Sequence, residues 1–202
     1  MGGGHEQVQT YTNRNLNRYN MPVDLRHQFT TDLTYILPRL AESSGIVRNV
    51  FGGWSTSGIL KAASGLQFNV FTGGDTGDGT FEQRPNLVPG VPIYLPAGPG
   101  RGFLNPAAFS VPTAVDPTTG LRLGYLPNNY VHLPFTLTMD WDMAKKLYTG
   151  DKFNVEFRGE FFNILNHPVF ESAVATLSAP NFGQAQAATD PREIQLSLKF
   201  NF

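Results

Sequence analysis

The sequence predicts an all-β fold in which about five antiparallel strands are joined by alternating short and long connections. Composition is the first observation: charged residues make up only 15% of the chain, whereas 21 glycines, 15 prolines and 16 phenylalanines favour short strands and turns over helices. The second is the segment 193–202, which alternates polar and apolar residues without interruption and stops on Phe202. A strand with one apolar face must bury that face against a second sheet or against lipid.

The first two predicted strands lie in the N-terminal part of the chain. Residues 26–37 alternate with period two, and Pro38 ends the run. Residues 54–72 form a longer extended stretch, in which Gly65 marks a bend or bulge. A linker joins these two strands.

Three further strands complete the predicted set. Residues 133–143 show the clearest internal alternation, and residues 148–152 supply a tight glycine-containing turn. Residues 153–161 form the second half of that hairpin, and residues 193–202 form the last strand. The pattern therefore predicts five amphipathic strands of about ten residues, a length that crosses a membrane band of about 25 Å when the strands tilt.

The alternation assigns a face to each side chain. The apolar face is predicted to meet lipid through Phe29, Leu33, Leu60, Leu137, Met139, Phe157, Leu196 and Leu198. The opposite face is predicted to line a barrel lumen, with charged side chains at Asp140, Asp142, Glu156, Arg158 and Glu160. We interpret these charges as a polar interior held by ion pairs.

Connection lengths predict the direction of each strand. The links after the second and fourth strands, residues 73–132 and about 26 residues from His167 onward, exceed ordinary loop lengths, whereas the other two are shorter. In outer-membrane barrels the short turns are periplasmic and the long loops extracellular. The last strand therefore runs downward and places Phe202 in the periplasm. We expect a partial outer-membrane β-barrel wall with long extracellular loops, located in the bacterial outer membrane.

Charge and composition exclude several other classes. The formal net charge is −1 and no lysine or arginine run occurs, so we do not expect nucleic acid as a partner. The chain has no cysteine, which excludes disulfides and thiolate metal sites. No stretch of about 18 apolar residues occurs, and the first six residues do not have the features of an export signal.

Short motifs occur along the chain in this order: DLRHQF (24–29), GGW (52–54), SGLQF (64–68), RPNL (84–87), FLNPAAF (103–109), FRGEFFNILNHP (157–168), NFG (181–183), DPR (190–192) and the terminal strand. Together they resemble the C-terminus of Oar-like TonB-dependent outer-membrane receptors, a family that carries a carboxypeptidase-regulatory-like domain. The resemblance covers about residues 20–202.

This resemblance implies a receptor or transporter for a bulky ligand, with a periplasmic plug inside a barrel of about 22 strands and energy delivered through TonB. No segment resembles the plug or the TonB-contacting box, so we expect a C-terminal fragment that is not transport-competent alone. Residues 1–22 are predicted to be a leading segment from a loop of the parent barrel, and residues 23–202 to be the barrel fragment. Its expected partners are membrane lipid, the remaining strands and plug of the parent receptor, and TonB only through that plug.

The resemblance also implies a role for the chain end. Phe202, with Phe200 and Leu198 on the same face, is expected to be the signal that the barrel-assembly machinery reads. That machinery would pair the last strand through its exposed edge, as in β-strand addition.

Two other classes of function remain open from the residues alone. A soluble β-sandwich binding module would show the same alternation, with its apolar faces packed about 10 Å apart. A secreted hydrolase could use Glu156 and Glu160, but four residues along one strand separate them by about 13 Å, farther than either usual glycosidase spacing. We therefore expect no enzymatic activity.

No cofactor or metal site is predicted. The glycine-rich segment 73–79 has oxygen ligands but lacks the EF-hand spacing, and the four histidines do not occur at metal-ligand spacing. The long link 73–132 is the expected ligand-contact region, through the aromatic residues Tyr94, Phe103, Phe109, Tyr125 and Tyr130.

Overall fold

A computed structural model describes residues 14–17, 21, 24–42, 44–74, 83–96, 102–149 and 153–202. It confirms the all-β fold with antiparallel strands. In chain order the elements are β1 (Gln28–Ile36), α1 (Gly45–Phe51), β2 (Trp54–Ala63), β3 (Gln67–Phe68), β4 (Asn86–Leu87), β5 (Phe109–Ser110), β6 (Val131–His132), β7 (Thr136–Thr149), β8 (Asn154–Phe162), β9 (Phe170–Ala173), β10 (Ala185–Ala188) and β11 (Glu193–Asn201). Two short 3₁₀ helices, Arg14–Asn17 and Pro106–Ala108, accompany them.

The chain divides into two compact units. The sheet unit comprises His27–Ala63, Phe135–Val169 and Thr189–Phe202, and the loop unit comprises Met1–Arg26, Ser64–Pro134 and Phe170–Ala188. The predicted division at residue 22 is a different boundary, and it stays a prediction.

The sheet unit contains one five-stranded antiparallel sheet in the order β1-β2-β7-β8-β11. Each of these strands pairs with the next one along the chain among the five, so the sheet is a meander with β1 and β11 at its edges. These five strands are the ones that the alternation predicts. The described strands do not close into a barrel, because β1 and β11 do not pair with each other.

The register places the predicted apolar residues on one common face. Directly opposed residues of antiparallel strands project to the same side, and the pairs Leu60 with Met139 and Leu198 with Phe157 both occur. Extending this rule over all four ladders puts every predicted apolar residue on that face: Phe29, Leu33, Leu60, Leu137, Met139, Phe157, Leu196 and Leu198. We call it the apolar face, and its opposite the polar face.

Strand β7 is long because its two neighbours pair with different parts of it. Residues 136–145 pair with β2, whereas residues 141–149 pair with β8, with one irregularity between Lys146 and Tyr148. This stagger is what tilted strands of a barrel require, because shear between neighbours accompanies tilt.

Two predicted strand limits are wrong. The second strand ends at Ala63 rather than at residue 72, and residues 64–66 separate it from β3, with Gly65 so close to the Leu133 carbonyl group that a Cβ atom would collide with it. The third strand begins at residue 136 and reaches residue 149, so Leu137 is its second residue rather than its middle. Pairing with β8 extends this strand beyond the point at which the alternation ends.

Helix α1 lies in the link between β1 and β2, where the sequence analysis predicts only a linker. Lys145 of β7 is buried, and its Nζ donates to the carbonyl oxygens of Asn49 (2.6 Å), Val50 (3.2 Å) and Gly52 (2.7 Å). The Trp54 indole also donates to the Val50 oxygen at 2.8 Å. A cation at a helix C-terminus is favourable because the last carbonyl groups lack partners within the helix.

The long connections are folded rather than extended. Their buried apolar core consists of Val70, Phe103, Leu104, Ala108, Phe109, Leu126, Val131, Leu133 and Phe182. The FLNPAAF and NFG motifs meet in this core, since the Phe103 N–H donates to the Gly183 oxygen (2.9 Å) and the Phe109 and Phe182 rings lie 5.5 Å apart. Gly183 has φ +73, and a Cβ atom there would lie 2.6 Å from the Leu104 Cβ.

The segment after β8 forms a turn built on two asparagines. Asn163 and Asn166 have φ of 46 and 50, a left-handed conformation that asparagine tolerates better than most residues. The Asn163 amide nitrogen donates to the oxygens of His167 (3.2 Å) and Asp190 (3.3 Å), and the Arg192 N–H donates to the Asn166 Oδ1 at 3.1 Å. Two of the family motifs therefore contact each other at the start of β11.

Replacing Asn163 by alanine should destabilise this turn by about 2 to 3 kcal/mol, because buried hydrogen bonds are lost and alanine disfavours positive φ. Asn163→Gly keeps the backbone conformation, so it should cost less than Asn163→Ala. Urea denaturation of the chain refolded in detergent measures both. Equal costs for the two variants would show that backbone strain contributes nothing.

Candidate functional site

The predicted charged residues lie together on the polar face of two neighbouring strands, β7 and β8. Arg158 lies between two carboxylates of its own strand, with Nη2 at 3.5 Å from Glu156 Oε1 and Nη1 at 3.7 Å from Glu160 Oε1. Asp142 opposes Glu160 in the register. The structure places these residues on one face of the sheet. Their orientation toward a lumen stays a prediction.

The two aspartates of β7 have structural partners. Asp142 accepts a hydrogen bond from the Ser57 hydroxyl group of β2. Asp140 accepts a hydrogen bond from the backbone N–H of Asn163 at 2.9 Å, which connects β7 to the turn after β8. Both carboxylates therefore stabilise the sheet and its turn.

Glu156 and Glu160 have a guanidinium group between them rather than an open space. A hydrolase would need a substrate between its two carboxylates. Arg158 occupies that position and pairs with both, and its side chain is half exposed. Such exposed pairs contribute little to stability.

Side chains on the apolar face are exposed at the sheet edges. Leu33 of β1 is 71% exposed and Leu196 of β11 is 64% exposed. A β-sandwich would bury residues of this kind in its core. Large apolar side chains arranged continuously across five strands indicate a surface that meets an apolar environment.

The terminal strand presents the predicted assembly residues on this same face. Leu198 opposes Phe157 and Phe200 opposes Val155, and the rings of Phe200 and Phe153 stack at 6.1 Å. Phe202 follows the last paired residue and is fully exposed. The outer edge of β11 pairs with no other described strand.

The loop unit changes the list of candidate ligand-contact residues. Phe103 and Phe109 are buried in its core, so the prediction that they lie exposed in a ligand-contact loop is wrong. Their spacing gave no sign of burial, because the core forms between residues distant in the chain. Tyr94, Tyr125 and Tyr130 are exposed.

Burial changes three titrations within the loop unit. Desolvation lowers the pKa of Arg84 to about 10. Desolvation also raises the pKa of Tyr94, whose hydroxyl oxygen accepts a hydrogen bond from the His132 N–H at 3.0 Å. The pKa of His132 is lowered, first by desolvation and then by Arg26.

Among the described residues, no group of three or more histidine or acidic residues is arranged to hold a metal ion. Most of the glycine-rich segment 73–79 lies outside the described residues, as does His5. The predicted turn at 148–152 is also described only in part.

Comparison with known proteins gives one family. The model of the outer membrane beta barrel domain matches residues 1–195. The chain belongs to the outer membrane beta barrel domain family, and its location is the bacterial outer membrane. This confirms the predicted fold class and location, and it accords with contact between the chain and membrane lipid. No curated protein and no solved structure matches the chain.

Among the described residues, no helix has the length and hydropathy needed to cross a membrane.

Expressed without export, the chain should be insoluble or require detergent for solubility. Its apolar face is exposed, and the outer edges of β1 and β11 pair with no other strand among the described residues, which favours aggregation. Size-exclusion chromatography with and without detergent measures this. A monodisperse monomer in detergent-free buffer would contradict the assignment of the apolar face to lipid.

Proposed function

We propose that the chain supplies the C-terminal strands of an Oar-like TonB-dependent receptor for a bulky ligand. The observation that carries this proposal is the way the family motifs are used in the fold. The motifs FRGEFFNILNHP and DPR build the turn that leads into β11, and FLNPAAF and NFG build the core of the loop unit. Motifs that lie far apart in the sequence thus contact each other in two places, which is expected if the chain shares the architecture of this receptor family.

In this proposal the apolar face of the sheet meets lipid and the polar face lines the lumen. Asp140, Asp142, Glu156, Arg158 and Glu160 then form part of the interior wall. The loop unit is extracellular, because it consists largely of the two long connections. Its exposed tyrosines are the candidates for contact with ligand.

The chain alone is not transport-competent in this proposal. The five strands of the described sheet have two open edges and do not enclose a lumen, and bacterial single-chain barrels usually have an even number of strands. The remaining strands and the plug of the parent receptor would complete the barrel, and TonB would act only through that plug. The barrel-assembly machinery would insert the complete receptor by recognising Leu198, Phe200 and Phe202. We propose no enzymatic activity.

A receptor chimera tests this function. Residues 27–202 would replace the last five strands of a TonB-dependent receptor that imports a ferric siderophore, and the same receptor carrying the last five strands of a third receptor would be the control. We expect the chimera to assemble and to import labelled iron only in cells that contain TonB. The chain expressed alone with an export signal should import none.

Two results would contradict this proposal. If the control chimera assembles and the chimera with residues 27–202 does not reach the outer membrane, these strands are not equivalent to a receptor C-terminus. Import in cells without TonB would contradict the proposed coupling while leaving the barrel fold in place.

A further inference from the structure

A surface helix of a water-soluble protein turns its apolar side toward the protein, whereas the large apolar side chains of α1 are exposed. At 100° per residue, its four large apolar side chains occupy one continuous arc of the helix, and Arg48 and Asn49 occupy the rest. We call this the apolar arc; it consists of Ile46, Val47, Val50 and Phe51.

The apolar arc faces away from the described protein. Ile46 is 78% exposed and Phe51 is 63% exposed, and α1 has no buried residue. Arg48 and Asn49 are exposed as well, and they line an open cavity of about 640 Å³ together with Glu156 and Arg158 of the polar face. A short surface helix in water would place its polar side outward.

Side chains of the apolar face fix α1 in this orientation. Trp54 and Lys145 oppose each other in the register and therefore project from the same face as the predicted lipid-facing residues. Both donate to the Val50 carbonyl oxygen. Phe157 packs against Trp54, with ring centroids 6.0 Å apart. The C-terminal end of α1 is thus continuous with the apolar face.

We propose that α1 is a membrane-interface anchor whose apolar arc inserts into a phospholipid leaflet beside the apolar face. This inference rests on the orientation of the sheet proposed above. The β1–β2 connection is one of the short ones, which places α1 on the periplasmic side of the membrane. An amphipathic helix at an interface buries its apolar side near the boundary between headgroups and acyl chains, and tryptophan is favoured at the same depth.

Single-cysteine labelling tests the anchor, because the chain has no cysteine of its own. The variants Phe51→Cys and Ile46→Cys report on the apolar arc, Asn49→Cys reports on the polar side, and Leu196→Cys reports on the apolar face. Each full chain is labelled with an environment-sensitive fluorophore and refolded in vesicles of phosphatidylethanolamine and phosphatidylglycerol. Quenching is measured with brominated phospholipid and with aqueous iodide.

We expect brominated lipid to quench the labels at positions 51 and 46 at least about twofold more than the label at position 49, with the reverse order for iodide. Using two positions on the arc guards against one variant that fails to refold. Lys145→Met in the Phe51→Cys background should reduce the lipid quenching, because it removes the bonds that orient α1.

Three outcomes would overturn the inference and can be told apart. If brominated lipid quenches the Leu196 label and leaves both arc labels exposed to iodide, α1 is not an anchor although the sheet orientation stands. If the Leu196 label is not quenched either, the proposed orientation of the sheet fails as well. Protection of the arc labels from both quenchers, with self-quenching that rises with protein concentration, would show that a second copy covers the arc.

Discussion

Replacing Leu33 by arginine should destabilise the membrane-inserted chain by about 2 to 4 kcal/mol, the cost of a cation near the middle of the lipid face of a barrel. Leu33 lies in the middle third of the nine-residue strand β1 and on the apolar face. The cost arises because the guanidinium group must leave water for a medium that cannot hydrate it. Urea denaturation in vesicles measures the change.

Thr34→Arg is the matched control, since Thr34 is the next residue and projects from the polar face opposite Ser57. An arginine there stays in a polar environment near Asp32, so it should change stability by less than about 1 kcal/mol. Similar losses of stability for the two variants would mean that the two faces of β1 meet similar surroundings. That result would contradict the assignment of the apolar face to lipid.

Deleting Phe202 should sharply lower the amount of protein inserted in the outer membrane while changing folded-state stability little. The Phe202 side chain is fully exposed and follows the last paired residue of β11, so its packing contributes little. A large loss would therefore reflect recognition during assembly, through the edge of β11. Heat-modifiable gel mobility and surface protease access measure insertion.

Two variants separate recognition from chain length. Phe202→Tyr keeps an aromatic terminus and should insert nearly as well as the parent chain. Asn201→Ala changes a residue of the same end on the polar face and should have little effect. Normal insertion after deletion of Phe202 would leave the terminal ring without an assembly role.

The strands and their faces could be predicted from the sequence because period-two alternation is a local signal. The apolar residues of β1 and β11, which lie far apart in the chain, fall on one face once the strands pair in register. Strand ends were less predictable. The end of β7 depends on its pairing with β8, and residues 144–147 (AKKL) break the alternation that defines the rest of the strand.

The loop unit could not be predicted, because its core forms between residues separated by long stretches of chain. Phe103 and Phe182 are examples, and nothing in their local sequence distinguishes a buried ring from an exposed one. The family resemblance identified the motifs without showing their purpose. In the structure FLNPAAF and NFG supply core residues of the loop unit, and FRGEFFNILNHP and DPR meet in the turn before β11.

Helix α1 had a detectable signal that the sequence analysis did not use. Ser44 precedes the run GIVRNVF and Gly52 follows it, which are common boundaries of a short helix. Its orientation, however, depends on Lys145, which lies on a strand 93 residues away from Gly52. Only the folded sheet reveals that its apolar arc faces outward.

The orientation of the sheet in the membrane is tested most directly by nitroxide scanning of β11. Single cysteines at positions 194 to 200 would be labelled in the refolded chain in vesicles, and the accessibility of each nitroxide to oxygen and to a water-soluble nickel complex would be measured. We expect oxygen accessibility to alternate with period two and to be higher at Ile194, Leu196, Leu198 and Phe200 than at the residues between them. Equal accessibility at all seven positions, or the opposite alternation, would contradict a barrel wall whose apolar face meets lipid.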